Sequence, residues 1–374
     1  MLKTDYSIKS SFINRQKELS FIYDWFHREP NNILFLYGPK SSGKTTLLMK
    51  FIEIHLNQKI YDIKHFNLRE ILLTSYSDFI QAFFEIDYSK QDTKVKREYN
   101  LKVFKLSKEI IKSMENKTLD PFVVMKNEFI KIARKGKRPI LIIDELQALD
   151  NIYMSDQREL LKELFNFFVA MTKESHLCHI IIASSDGYFL NRIYDDSKLS
   201  KTSRFFEISY LNEKDTKYWL SNLEKESAIR SYKLSDDQIN TIWKYIGGSV
   251  WEITSVLGEL ISNAKNDKIS NDDLMNVIHE MIKINKGKFN HYAKINKSKR
   301  ALFKQILFIQ NQKDEFSETD LELLVNKGFY EESSLTEELS HLVRLNFLTF
   351  DPTTSFYSLQ GKSMFYGLKE FIQN

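Results

Sequence analysis

A single cysteine, Cys178, occurs in 374 residues, so no intrachain disulfide can form. No apolar run reaches the ~20 residues of a membrane helix, and Met1 to Tyr6 lack the apolar core of a signal peptide. Five prolines and 11 glycines are too few for long low-complexity linkers, so most of the chain is expected to be ordered. Strong charge of one sign is missing too. The 54 basic residues face 50 acidic ones, a formal charge of +4, so nucleic-acid contact would have to come from local clustering. A soluble, cytoplasmic protein is expected. What is present favours large cores: 42% hydrophobic and 13% aromatic residues, over a length suited to two or three domains.

One stretch carries most of the chemistry. The apolar run Ile33 to Tyr37 suits a buried parallel strand, and it meets Gly38-Pro39-Lys40-Ser41-Ser42-Gly43-Lys44-Thr45-Thr46 before a helical pattern at Leu47, Leu48 and Phe51. This is the order and spacing of a phosphate-binding loop. Glycines let successive N–H groups point inward at an anion, and the following helix adds its positive end. Gly38 to Thr46 are therefore the expected nucleotide contacts. Lys44 would reach the β- and γ-phosphates, and Thr45 would place its hydroxyl on magnesium.

A second signature is Ile140 to Glu145, a short apolar strand ending in two carboxylates. Beside a phosphate loop, Asp144 is expected to hold the metal and Glu145 to deprotonate the attacking water. A third buried strand, His179 to Asp186, ends in Ser184-Ser185. Strands alternating with helices predict a parallel α/β sheet covered by helices, with ligands beyond the carboxyl ends of its strands. Asn14 is expected to cap a first helix buried through Leu19, Ile22, Trp25 and Phe26. A helix is expected over Ser75 to Glu85, and the lysine-rich segment Lys90 to Lys117 reads as an insertion. A further strand is expected after Arg204.

From Asn212 the pattern is all helical, broken at Gly247-Gly248. The last segment combines helical faces at Leu302 to Leu307, Ser317 to Asn326 and Ser334 to Arg344. Two strands, Asn346 to Phe350 and Ser355 to Leu359, then flank a turn at Asp351-Pro352. Three helices and a two-stranded wing predict a winged helix-turn-helix whose third helix would face a DNA major groove. The expected domains are 1–210, 211–288 and 289–374. The third helix carries Glu331, Glu332, Glu337 and Glu338 against His341 and Arg344, a poor composition for phosphate contacts. Basic charge lies instead between Lys283 and Lys304, a run that would either track a DNA backbone or form a solvated linker.

With those residues laid out, the chain resembles the archaeal ATPase family within the AAA+-related STAND group. The resemblance rests on Phe12-Ile13-Asn14-Arg15 with Glu18-Leu19, Tyr37 through Thr45, Phe66-Asn67-Leu68-Arg69, Ile143 through Gln147, Ser184-Ser185, Arg204 and Gly247-Gly248. It implies that Phe12 and Ile13 lie against adenine and that Ser184 or Ser185 senses the γ-phosphate. It also implies that Arg204, with Arg192 as runner-up, offers positive charge to that phosphate within the chain or to a neighbour. One departure is that Gly248 leads to Ser249, Val250 and Trp251 where relatives usually have a proline. The lid is then expected to pack through Trp251. The function expected is magnesium-dependent ATP hydrolysis to ADP as a conformational switch, with double-stranded DNA or a protein as candidate partner. Its alternative is a DNA-binding regulator in which nucleotide is mainly structural. The oligomeric state is left open.

Overall fold

The structure, a computed structural model, describes residues 12–86, 104–154, 158–196, 199–264 and 268–373. Its strands are β1 (Ile33–Tyr37), β2 (Tyr61–Asn67), β3 (Phe84–Ile86), β4 (Phe104–Leu106), β5 (Arg138–Asp144), β6 (His179–Ala183), β7 (Ser203–Glu207), β8 (Leu348–Asp351) and β9 (Phe356–Leu359). Five of them form one parallel sheet in the order β2-β5-β6-β1-β7. All residues of β1 and β6 are buried, because helices cover both faces and leave no side for polar alternation. Register decides where the strands stop. Asn67 pairs with Asp144, Asp144 with Ala183, and Ala183 with Leu36, so Asp144, Ser184 and Gly38 emerge on one edge.

The nucleotide-domain helices are α1 (Gln16–Phe26), α2 (Lys44–His55), α3 (Tyr76–Phe83), α4 (Lys108–Glu115), α5 (Pro121–Arg134), α6 (Leu160–Val169) and α7 (Gly187–Asp196). Asp120 caps α5 by accepting from Phe122 N at 2.8 Å, with proline at the first helical position. The expected stripe of α1 is buried, but its cap is Arg15. Asn14 turns to positive φ and donates from Nδ2 to Asp215 Oδ1 at 2.6 Å, which ties the loop before α1 to the next domain. Part of the expected insertion, residues 90–103, lies outside the described residues. From Phe104 onward that segment belongs to the core: β4 pairs in parallel with β3, and Phe104 and Leu106 are buried among Phe66, Phe83 and Phe129. Phe104 and Leu106 stand at apolar positions visible in the sequence, and with Ile111 and Met114 of α4 they make this part of the segment core rather than insertion. The helix expected to reach Glu85 ends at Phe83, where β3 begins.

Next come α8 (Glu213–Ser221), α9 (Leu223–Ser227), α10 (Asp236–Tyr245), α11 (Val250–Asn263) and α12 (Asn271–Ala293), a helical unit built on Trp219, Tyr232, Ile242 and Leu257. The C-terminal part holds α13 (Lys297–Gln310), α14 (Glu322–Asn326), α15 (Glu332–Arg344), the antiparallel β8–β9 hairpin and α16 (Lys362–Gln373). The pattern reading overlooked α16, although Met364, Leu368 and Phe371 fall at helical spacing and are buried. The basic segment is not a linker. Helix α12 continues across residues 288 and 289 to Ala293, carried by buried Phe289. Much of its charge is used within the chain: Lys286 lies 3.8 Å from Glu370, Lys299 3.5 Å from Glu338 and 3.7 Å above the Tyr292 ring, and Arg300 sits over Phe371.

The C-terminal hairpin docks on the nucleotide domain. Tyr37 Oη donates to Asp351 Oδ1 at 2.9 Å, and Tyr210 Oη reaches Lys40 O at 3.0 Å and Gln360 Oε1 at 3.2 Å. Gly187 has no alternative, since a Cβ there would stand 1.9 Å from Phe350 O.

A polar cluster joins α11, α12 and α16. Ser363 Oγ donates to Glu252 Oε1 at 2.5 Å, Asn285 Nδ2 to Ser363 Oγ at 3.0 Å, and Lys288 Nζ to Asn285 Oδ1 at 3.0 Å. Glu252 Oε2 has no partner, and burial pushes this carboxyl from 4.5 up to about 7. The folded protein therefore holds the proton more tightly than the unfolded chain. Its contribution is complete below pH 4.5 and is lost as pH rises through about 7, a loss of roughly 3 kcal/mol. Glu252→Gln is expected to flatten melting temperature against pH between 5 and 8 and to raise it by several degrees at pH 8. An unchanged pH slope would refute this.

Candidate functional site

The loop from Gly38 to Thr45 bends as its glycines allow. Gly38 has φ 143°, and a Cβ there would lie 2.3 Å from Ile208 O; Gly43 caps α2 at φ 93°. Lys44 is buried, and its Nζ donates to Gly38 O and Pro39 O at 3.0 Å each, folding the ammonium into the loop it belongs to. Burial lowers its pKa to about 8, against the opposing pull of Glu145 and Asp144. Thr45 Oγ1 donates to Asp144 Oδ2 at 2.5 Å. Asp144 is 1% exposed and its Oδ1 has no partner; Ser42 Oγ, also buried, has none either. An unmatched carboxylate oxygen suits a cation, and an unmatched hydroxyl beside a loop rich in N–H groups suits an anion.

Glu145 leaves β5 in a left-handed conformation, φ 63°. Its Oε1 lies 2.6 Å from Arg69 Nη2, and its Oε2 accepts from Gln147 Nε2. Burial raises its pKa and Arg69 counters that. Gln147 Oε1 in turn accepts from Ser184 Oγ at 2.9 Å. So the two serines divide: Ser184 belongs to the Gln147–Glu145 network, whereas Ser185 lines the open space beside the loop.

That space is a cavity of about 370 Å³ bounded by Gly43, Lys44, Thr45, Glu145 and, from α11, Trp251 and Thr254. Trp251 does not pack as expected. It is 62% exposed and borders the loop cavity, so the lid meets this space despite lacking the proline. Phe12 and Ile13 border a narrower crevice of about 30 Å³ with Thr46, Leu211 and Val250, too small for a purine in this structure. A cavity of about 690 Å³ among α8, α9 and α10 shares no residue with the loop.

Arg204 is not brought to the loop of its own chain. It lies within β7, in register with Leu34 well before the strand ends, and its guanidinium stacks 4.5 Å over Phe21. The side chain of Arg192 lies outside the described residues. Arg69 and Gln147 received no role from spacing, although both fall in the motifs that carry the resemblance. Arg15 was missed as well: it is buried and donates to Ser42 O at 2.8 Å and Ser209 O at 2.9 Å, bracing the loop against the start of the lid.

A parallel sheet in this order, with a phosphate loop and an acidic strand end on one edge and a helical unit behind it, defines a P-loop nucleotide-binding protein of the AAA+ type. The family described as an ATPase domain predominantly from Archaea matches residues 12–256, and the chain belongs to that family of ATP-binding proteins. It is 31% identical over 372 residues to an uncharacterized ATP-binding protein of Methanocaldococcus jannaschii, covering 97% of this chain and 95% of that one. A second such protein of the same organism is 42% identical over 210 residues, 55% of this chain and 61% of the other. The fold is similar to that of the Walker-type ATPase of Pyrococcus abyssi (TM-score 0.63, 15% identity, 97% of each chain). It is also similar to the ORC2 protein of Aeropyrum pernix in its ADPNP–ADP complexes (TM-score 0.57, 10% identity, 99% and 98%). Among the described residues no helix is long and apolar enough to cross a membrane.

Proposed function

We propose that the chain hydrolyses ATP to ADP and phosphate and uses the nucleotide state to set how its lid and C-terminal part close on the sheet edge. The observation that carries this is the unpartnered, buried Asp144 Oδ1 beside Thr45 Oγ1 and Lys44, with Glu145 next in sequence. Thr45 and Asp144 would hold magnesium, which when bound neutralises charge on the β- and γ-phosphates. The ammonium of Lys44 would exchange the Gly38 and Pro39 carbonyls for phosphate oxygens. Water attacks the γ-phosphorus, the bond to the β–γ bridging oxygen breaks, and the water proton passes to Glu145, which Arg69 and Gln147 hold in place. Arg204 keeps a role only as a cation offered to a neighbouring chain.

Phosphate release from ATP in magnesium, lost on chelation, is the expected result. Tight ADP and ATP binding with no release would remove hydrolysis and leave the nucleotide as a structural ligand. The helices and hairpin of the C-terminal part follow the order of a winged helix, but DNA reading by α15 has little support. Glu338 is engaged by Tyr292 and Lys299, and Ser340, Val343 and Arg344 border a cavity on the nucleotide side.

A further inference from the structure

Past Glu145 the sheet edge opens into a second cavity of about 480 Å³. One wall is the nucleotide domain, with Lys40, Arg69 and Glu145; the other is the end of α15 and the turn after it, with Val343, Arg344 and Asn346. Arg69, Glu145 and Ser185 border this cavity and the loop cavity alike, so the two spaces meet beside Glu145, where the hydrolysis proposed above puts the terminal phosphate and its attacking water. Arg69 is committed to Glu145 at 2.6 Å and Lys44 to loop carbonyls. Arg344, in contrast, makes no ion pair among the described residues. Asp150 and Asp186 also border the cavity, and both already have partners.

An arginine in the last turn of a helix is commonly explained by the helix dipole. That account does not explain why this one borders the same space as Lys40 and Arg69, where the carboxylates Glu145, Asp150 and Asp186 are already engaged. The end of α15 is kept there by the hairpin contacts of Tyr37 with Asp351 and of Gly187 with Phe350.

We propose that Arg344, from the C-terminal part, is the in-chain arginine that contacts the γ-phosphate, so that ATP but not ADP holds α15 against the nucleotide domain. This rests on the nucleotide assignment above. A guanidinium can grip two phosphate oxygens at once, which a lysine cannot. Only a contact made to one nucleotide and not the other can shift the equilibrium between closed and open forms.

The test compares ADP with the non-hydrolysable analogue ADPNP, in magnesium, on the full chain. Arg344→Ala is expected to weaken ADPNP binding roughly 10- to 100-fold and ADP binding less than about 2-fold, with Arg344→Lys between. A merely structural role would lower both affinities alike, and an unchanged ADPNP-to-ADP ratio in both variants overturns the proposal. Restoration of ADPNP affinity in Arg344→Ala by added Lys44→Ala chains would overturn the in-chain assignment. Because binding requires no turnover, a wild-type protein that binds both nucleotides without hydrolysing ATP would sink hydrolysis while Arg344 is still tested. A wild-type protein that binds neither would overturn both.

Discussion

Lys44→Ala is expected to weaken ATP binding roughly 100- to 1000-fold, measured by calorimetry in the presence of magnesium. The effect is large because Lys44 is a buried cation with no competing carboxylate ion pair. Its Nζ is satisfied by Gly38 O and Pro39 O, neutral groups that yield to a phosphate. Truncation also removes the positive charge that offsets Asp144 and Glu145, so incoming phosphates would meet an uncompensated acidic edge. Lys44→Arg keeps the charge but not the shape, since a guanidinium does not fit the curl between two loop carbonyls. Affinity within 5-fold of wild type in the alanine variant would remove Lys44 from the site.

Glu145→Gln is expected to lower ATP turnover by about 100- to 1000-fold while leaving ATP affinity nearly intact. Glutamine can still accept at Oε1 from Arg69; its Nε2 then faces Gln147 Nε2, so the Gln147 amide must turn over and present its oxygen to residue 145 and its nitrogen to Ser184 Oγ, and proton acceptance is what disappears. Single-turnover phosphate release separates the two effects. Turnover within 3-fold of wild type would mean that another group positions or deprotonates the water. A variant that fails to bind ATP would instead assign Glu145 to binding.

How much of this was legible beforehand depended on range. The phosphate loop, the stripe of α1 and the carboxylates ending β5 are local patterns, each set by a few neighbouring residues. They are visible wherever apolar spacing and turn chemistry agree. In the lysine-rich segment the apolar positions are visible but their partners are not: Phe104 and Leu106 join the core because β4 pairs with β3, and Ile111 and Met114 anchor α4 beside them. A large apolar residue such as Trp251 reads as a packing residue, but in the fold it is exposed and borders the cavity beside the phosphate loop.

The sequence alone determined that this chain carries a phosphate-loop pattern at residues 38–46, ends a second apolar strand at Asp144 and Glu145, and continues into helical units. Strand–loop–helix chemistry is local and survives without knowledge of the fold. Only the tertiary structure decided which cations face those carboxylates. Arg69 reaches Glu145 because β2 pairs with β5, and Arg204 misses the loop because its register with Leu34 fixes it mid-strand. Arg344 arrives from the far end of the chain through contacts such as Tyr37 to Asp351, 314 positions apart. Pairings of that separation depend on strand register and domain docking, and no window of the sequence contains both partners.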